Sequence, residues 1–271
     1  MKTGIKINTT LDYSDSFSLM IELSEFGIDI LIMNESLTQI MGFENYEFEL
    51  YDNQLDCIQR IITPYLSFKD NLKEVLIRYD YHSILIPNKH FTDELKKDVY
   101  NLIKGAVESQ EISSEYNTTH DLHIVYPKIK EVHNYLSTQL NVNDIAHSNN
   151  YLLETSMYDT KMICIFYHQN IKVILFKKNQ FQVIEKFEFK TPEDVVYILQ
   201  NTCKQFNVST TDIALKLCGF ISEESPLYKQ IYNYFLDVEF YQFEKNITLS
   251  ESFENIPKHF MSHLIQLIPC A

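Results

Sequence analysis

The sequence predicts an α/β protein with mixed sheets, built as two tandem halves that share one order of strands and helices. Three observations predict it. One apolar hairpin occurs twice, and in both copies a third strand and then an amphipathic helix follow it. The composition, 45% hydrophobic and 22% charged with five glycines and seven prolines in 271 residues, belongs to a folded chain with a sizeable core.

The hairpin comes first. Leu19 to Met33 reads LMIELSEFGIDILIM, and Met162 to Phe176 reads MICIFYHQNIKVILF, aligned without a gap at an offset of 143. In each, an apolar strand, a turn (Ser24 to Gly27, Tyr167 to Asn170) and a second apolar strand succeed one another. Gly27 and Asn170 share a turn position and are the residue types most tolerant of positive φ, so left-handed backbone is expected there. The third strand, from Leu37 and from Phe181, matches Ile40, Phe43 and Glu44 to Ile184, Phe187 and Glu188 at an offset of 144.

The helix of the second half opens at Thr191-Pro192-Glu193-Asp194, with a capping hydroxyl, a proline suited to the first turn and two acids at the positive end of the dipole. Val195, Leu199, Thr202, Cys203 and Phe206 form its apolar stripe. Leu55, Ile58, Ile61, Ile62 and Tyr65 do the same in the first half. Strands return at Glu74 to Tyr79 and Ala214 to Cys218. A further helix begins at the capping pair Ser225-Pro226 and runs through Leu227, Ile231 and Phe235. Its counterpart spans Thr92 to Lys104, followed by a strand from Asp121 to Tyr126 and a helix opening at Pro127, with Ile129, Val132 and Leu136 apolar.

Three antiparallel strands, a helix, then more strand and helix units are the ribonuclease-H-like order. The expected halves are residues 1–158, with an exposed, acidic, Ser- and Thr-bearing insertion near 107–119, and 159–271, which ends in a C-terminal helix. The boundary is expected at Tyr158-Asp159-Thr160.

Thirty-seven acidic against 23 basic residues give a formal charge of -14, which repels a phosphate backbone and argues against nucleic-acid binding. Arg60 and Arg78 are the only arginines. No apolar run reaches the ~18 residues of a membrane span, and Met1 to Tyr13 lacks the apolar core of a signal peptide, so a cytoplasmic protein is expected. Cys57, Cys164, Cys203, Cys218 and Cys270 form an odd set without a C-x-x-C pair and read as buried hydrophobes. His120/His123 and His259/His263 come nearest to metal-ligand spacing, the latter on one face of an expected helix, but no H-E-x-x-H accompanies them and no metal is expected. Cys164 and His168 share a sheet face in this reading, too far apart for a nucleophile and its base. The aromatic run Tyr232 to Phe243 reads as core and interface, and Glu251 to Glu254 as a solvated loop.

Two such halves in tandem are the plan of the actin-like ATPase superfamily, which includes actin, sugar kinases, heat-shock chaperones and bacterial pilus-assembly and division proteins. The chain also resembles, over nearly its full length, a bacterial family classed only as a domain of unknown function and assigned to that superfamily. The residues that carry the resemblance are FEFKTPEDVVYILQNTCKQFNV from Phe187, GFISEESPLYKQIYNY from Gly219, LHIVYP from Leu122 and IPKHFMSHLIQLIPC from Ile256. The actin-like fold is what the resemblance implies; no activity comes with it.

Superfamily members bind nucleotide between their halves through three loops, and the resemblance implies candidates for each. Ile21-Glu22-Leu23-Ser24-Glu25 stands where an Asp followed by Gly-Thr organises metal and phosphate, so that Glu22 could replace the acid while Ser24 replaces the glycine. The plainer reading is a strand with Glu22 on its polar side. Phe166-Tyr167-His168-Gln169 has neither acid nor glycine for the second phosphate loop. Leu217-Cys218-Gly219-Phe220 keeps one of the paired glycines of the adenosine loop, with Phe220 in place of the other. The expectation is therefore an interaction or scaffold module with degenerate nucleotide loops, an unidentified protein partner and no cofactor. The alternative is a weak ATP-binding protein or ATPase that holds Mg²⁺ at Glu22 and uses the turns at Gly27 and Gly219.

Overall fold

The computed structural model describes residues 1–7, 15–49, 51–105, 110–154, 160–242 and 245–269. The chain forms two compact units. Unit 1 takes the described residues of Met1–Tyr151, Lys245–Asn255 and Leu267–Ala271; unit 2 takes those of Leu152–Glu244 and Ile256–Gln266. Tyr158 and Asp159 of the expected boundary, the insertion's Val107, Glu108 and Ser109, and Cys270 lie outside the described residues. No helix among the described residues is long and apolar enough to cross a membrane.

In unit 1 the chain runs through β1 (Lys2–Ile7), β2 (Phe17–Leu23), β3 (Gly27–Asn34), β4 (Gln39–Glu47), α1 (Gln54–Leu66), β5 (Leu72–Tyr79), β6 (Ile84–Pro87), α2 (Lys96–Lys104), β7 (Glu111–Asn117), β8 (Leu122–Lys128), α3 (Lys130–Gln139), β9 (Val142–His147) and α4 (Ser148–Leu152). Its large sheet has the order β1-β4-β3-β2-β5-β9, with the two-residue strand Thr248–Leu249 on β4. β2 is buried at every position, as an inner strand covered on both faces must be, and only Ser18 and Glu22 interrupt its apolar run. A smaller sheet, β6-β8-β7, carries α2 over a core of Ile84, Ile86, Tyr100, Ile112 and Val125.

Unit 2 contains β10 (Lys161–Phe166), β11 (Asn170–Lys177), β12 (Gln180–Glu188), α5 (Pro192–Gln205), β13 (Ala214–Gly219), α6 (Pro226–Tyr232), β14 (Asp237–Phe240) and α7 (Ser262–Gln266). The sheet order is β12-β11-β10-β13-β14. It repeats β4-β3-β2-β5-β9 strand for strand: the first three strands antiparallel, the last two parallel. Even the bulges coincide, between Ile32 and Met33 in one hairpin and Leu175 and Phe176 in the other. The expected α/β class with two ribonuclease-H-like sheets is what the chain forms. One face of the second sheet packs on α5 and α6 through Cys164, Phe166, Val173, Leu199 and Leu217. Thr191 caps α5 with a complete capping box.

Several local expectations are corrected. Neither Gly27 nor Asn170 has positive φ. Gly27 is a glycine because a Cβ there would lie 2.3 Å from the Tyr46 carbonyl oxygen. Positive φ falls at Lys178 and Asn179, the two-residue link between β11 and β12, as the twist of a tight hairpin demands. The stretch read as an insertion carries β7, and it pairs with β8 along its length and buries Ile112 and Asn117. Pro127 lies within β8 rather than opening a helix. It pairs with Ile112 past Val125, the partner of the first β6 residue Ile84, so its missing N–H costs no ladder bond on the β6 side. Glu251–Phe253 forms a 3-10 turn; Glu251, Ser252 and Glu254 are solvated as expected, but Phe253 anchors the segment at 2% exposure.

Candidate functional site

Glu22, Ser24 and Gly27 come together on the β2–β3 hairpin of unit 1. Glu22 is 3% exposed, and its Oε1 accepts a hydrogen bond from Ser148 Oγ at 2.8 Å. In register it sits between Asp29 on β3 and Arg78 on β5, so the three side chains leave the same face of the sheet. Asp29 Oδ1 accepts from Asn45 Nδ2 at 2.6 Å. Burial, reinforced by the neighbouring Asp80 charge and opposed by that hydrogen bond, pushes the Asp29 carboxyl up to about 7. Arg78 is fully buried; its Nε donates to the Leu267 carbonyl at 2.9 Å, one terminal nitrogen reaches Asp144 at 2.7 Å, and the guanidinium lies over the Tyr151 ring. Asp80, directly after β5, is buried, and its N–H donates to the Leu23 carbonyl at 2.7 Å.

The turn itself is closed by its own groups. Ser24 N–H donates to the Gly27 carbonyl at 3.0 Å, and Ser24 Oγ accepts from Phe26 N–H at 3.1 Å. Gln54 of α1 donates to the Ser24 carbonyl at 2.7 Å and accepts from Tyr81 Oη at 3.2 Å, tying the turn to the helix below it.

Sequence reasoning missed the group that supports this hairpin. His147, at the end of β9, accepts from Asn149 N–H through Nδ1 at 3.1 Å; its proton therefore sits on Nε2, which donates to the Tyr81 carbonyl at 2.9 Å. Both oxygens of Glu115 on β7 accept from His147 N–H at 2.9 Å, and Tyr126 Oη donates to Glu115 at 2.5 Å. Burial pushes the Glu115 carboxyl up. These residues are distant in sequence, and only strand pairing joins them; a polar cluster after a short strand, HSNN, was the available signal.

In unit 2, Gly219 ends β13 with φ of +82°, and a Cβ there would lie 2.2 Å from the Phe166 carbonyl oxygen. Phe220 N–H donates to that same carbonyl at 2.7 Å. The Phe220 ring packs on His168, centroids 4.6 Å apart, and edge-on against Phe260. His168 lies in the turn past β10 rather than on a strand with the buried Cys164. The four cysteines within the described residues are buried, and burial pushes the Cys203 thiol up to about 11.

The histidine pairs are engaged elsewhere. His123 stacks on Phe91 at 3.6 Å and meets Asn88 Oδ1 at 3.1 Å, while the His120 N–H donates to Asn117 Oδ1. His259 stands on a 3-10 turn, Lys258–Phe260, and His263 on α7, so they do not share a helical face. His259 Nε2 donates to the Ile221 carbonyl at 2.7 Å, and burial holds its ring below the usual histidine range.

Two ribonuclease-H-like sheets in one chain define the class, and solved structures agree. A Bacteroides thetaiotaomicron protein with an actin-like ATPase fold and unknown function is 17% identical, covering 95% of this chain and 98% of its own, with a TM-score of 0.72. A chain of the PilM–PilN type IV pilus biogenesis complex is 9% identical over 93% of this chain and 99% of its own, TM-score 0.60. The ethanolamine utilization protein EutJ from Carboxydothermus hydrogenoformans is 5% identical over 96% and 91%, TM-score 0.50. At these identities the likeness shows the fold, the actin-like ATPase fold, and nothing finer. The chain belongs to the family described as "Protein of unknown function (DUF3822)", whose pattern matches residues 7–238. No curated protein matches it.

Proposed function

We propose that the protein is an actin-fold interaction module that binds another protein and does not turn over nucleotide. The observation that carries this reading is the packing of Phe220 on His168 beside a Gly219 already lodged against the Phe166 backbone. A glycine in an adenosine loop serves by leaving room for a ligand; here that room is filled from within the chain. The β2–β3 turn supports the same reading, since Ser24 Oγ takes up the Phe26 amide that a phosphate would need. The residues at these two turns do not fit a bound nucleotide. A structural neighbour occurs in the PilM–PilN complex, which is consistent with a protein partner.

A second reading, a weak ATP-binding protein with Mg²⁺ near Glu22, is favoured by one observation: Glu22, Asp29 and Asp80 are buried acids at the carboxyl ends of the parallel strands β2 and β5, where α/β sheets bind ligands. Calorimetric and thermal titration with Mg-ATP and Mg-ADP separates the two. Saturation at a hundred times the dissociation constant adds about 2.7 kcal/mol to stability. The expected result is no heat and no thermal shift. Saturable binding, or hydrolysis abolished by Glu22→Gln, would establish the second reading and end the first.

A further inference from the structure

β14 is the last strand of its sheet, and among the described residues nothing pairs with its outer side. Tyr241 N–H donates to the Leu217 carbonyl at 2.7 Å, which sets the phase of the parallel ladder. Asp237, Glu239 and Tyr241 turn their backbone groups toward β13; Val238 and Phe240 turn theirs outward. Beside this edge Tyr228, Lys229 and Tyr232 of α6 and Asn233 just past its end, with Val238 and the Glu223-Glu224 pair, line an open groove of about 820 Å³.

The groove is aromatic within and acidic at its rim. Tyr228 stacks on Phe240 at 5.2 Å and Tyr232 on Tyr228 at 6.0 Å, both near parallel. Tyr232, Tyr234 and Leu236 are 58%, 45% and 73% exposed, an apolar patch beside an open strand edge. Glu223, Glu224, Asp237 and Glu239 are exposed around it. Glu239 pairs with Lys216, and Lys229 is the one cation among the lining residues.

We propose that this edge takes an extended basic segment of another protein as an added strand. Its backbone would pair with Val238 and Phe240. Alternate side chains would fall over α6, where lysine or arginine meets the tyrosine faces and the Glu223-Glu224 rim, and on the opposite side against Asp237. Charge selects this occupant over a second copy of the chain, because two β14 edges side by side would set Asp237 and Glu239 against their own kind. The inference rests on the interaction-module reading only for the existence of a protein partner.

Fluorescence anisotropy with a labelled peptide of about eight alternating lysines and valines, and a glutamate-valine peptide as control, tests it. The lysine peptide is expected to bind saturably and the glutamate peptide not at all. Glu223→Lys with Glu224→Lys should weaken binding about tenfold, and Tyr232→Ala, at an exposed site, about fivefold. Val238→Pro should abolish it, since that change removes an outward N–H and leaves the β13 ladder intact. Thermal midpoints confirm that each variant folds. No binding, equal binding of both peptides, or binding indifferent to these variants would overturn the proposal. So would a dimer in sedimentation that Val238→Pro dissolves, which would give the edge to a second copy. Nucleotide turnover would end the interaction-module reading and leave the peptide result standing, whereas failed peptide binding without nucleotide binding would remove only the added strand.

Discussion

Unit 1 and unit 2 carry different side chains on one backbone plan. Leu23 and Phe166 end equivalent strands, and each accepts a 2.7 Å bond from the residue that follows the adjacent parallel strand, Asp80 in one unit and Phe220 in the other. Ser24 and Tyr167 close their turns on Gly27 and Asn170 at 3.0 and 2.9 Å. Across the sheet the row Glu22, Asp29 and Arg78 corresponds to Ile165, Lys172 and Cys218. The plan persists because it depends on which positions are buried and on a bulge and a turn in fixed places. The identities in the row are constrained only by the need of each buried polar group for local satisfaction.

The comparison breaks most severely at Gly219. An alanine there would meet the Phe166 carbonyl in a left-handed conformation, so Gly219→Ala should cost on the order of 3 kcal/mol or more. The check is the urea midpoint, with Gly27→Ala beside it. Gly27 has the same crowding without positive φ, and the smaller loss is expected there; equal losses would show that φ contributes nothing.

Asp29 gives an effect of opposite sign. Its carboxyl rises from 3.8 to about 7 on folding. Its contribution to stability is therefore full below the unfolded value and is lost as pH rises through about 7. Asp29→Asn keeps an acceptor for Asn45 and removes that loss, so it should stabilise the protein by roughly 2–4 kcal/mol near pH 8 and hardly at all near pH 4. Denaturation across that range measures it, and a variant with an unchanged pH slope would refute the assignment.

The smallest difference lies at the helix caps. Thr191 caps α5 within a reciprocal box and Asn53 caps α1 through one 3.3 Å bond. Thr191→Ala should cost about 1 kcal/mol and Asn53→Ala about half that. Thermal melts rank the two, and the reverse order would show that the box adds nothing.

The repeated hairpins, α1, α5 and the capping of α6 were legible because their signals are local: apolar runs, a stripe at helical spacing, a hydroxyl before proline. β9 and β14 were not, since VNDIAH and DVEF are short and half polar, and become strands only by lying against β5 and β13. Of the smaller sheet, β8 was legible in its apolar run from Leu122, but β6 and β7 were not, being short or polar, and Pro127 pointed the wrong way because its tolerance depends on where β6 starts. At the site, Glu22 was readable as an acid at a strand end. Asp80, Glu115 and the tautomer of His147 were not, because pairing over large sequence separations places them.

Arg78 on β5 finds its Nε partner in the Leu267 carbonyl, and β4 gains Thr248–Leu249 as a neighbour, although all of unit 2 up to Glu244 is spelled out in between. During synthesis the first sheet therefore forms without these two neighbours, its guanidinium held by Ile77, Asp144 and Tyr151, until the stretch from Lys245 to Leu267 has been made. The second unit has nearly all of its chain earlier. Completion of the first unit thus comes after most of the second has been made, and a chain cut after Glu244 would leave Arg78 without its Leu267 acceptor and β4 without Thr248–Leu249.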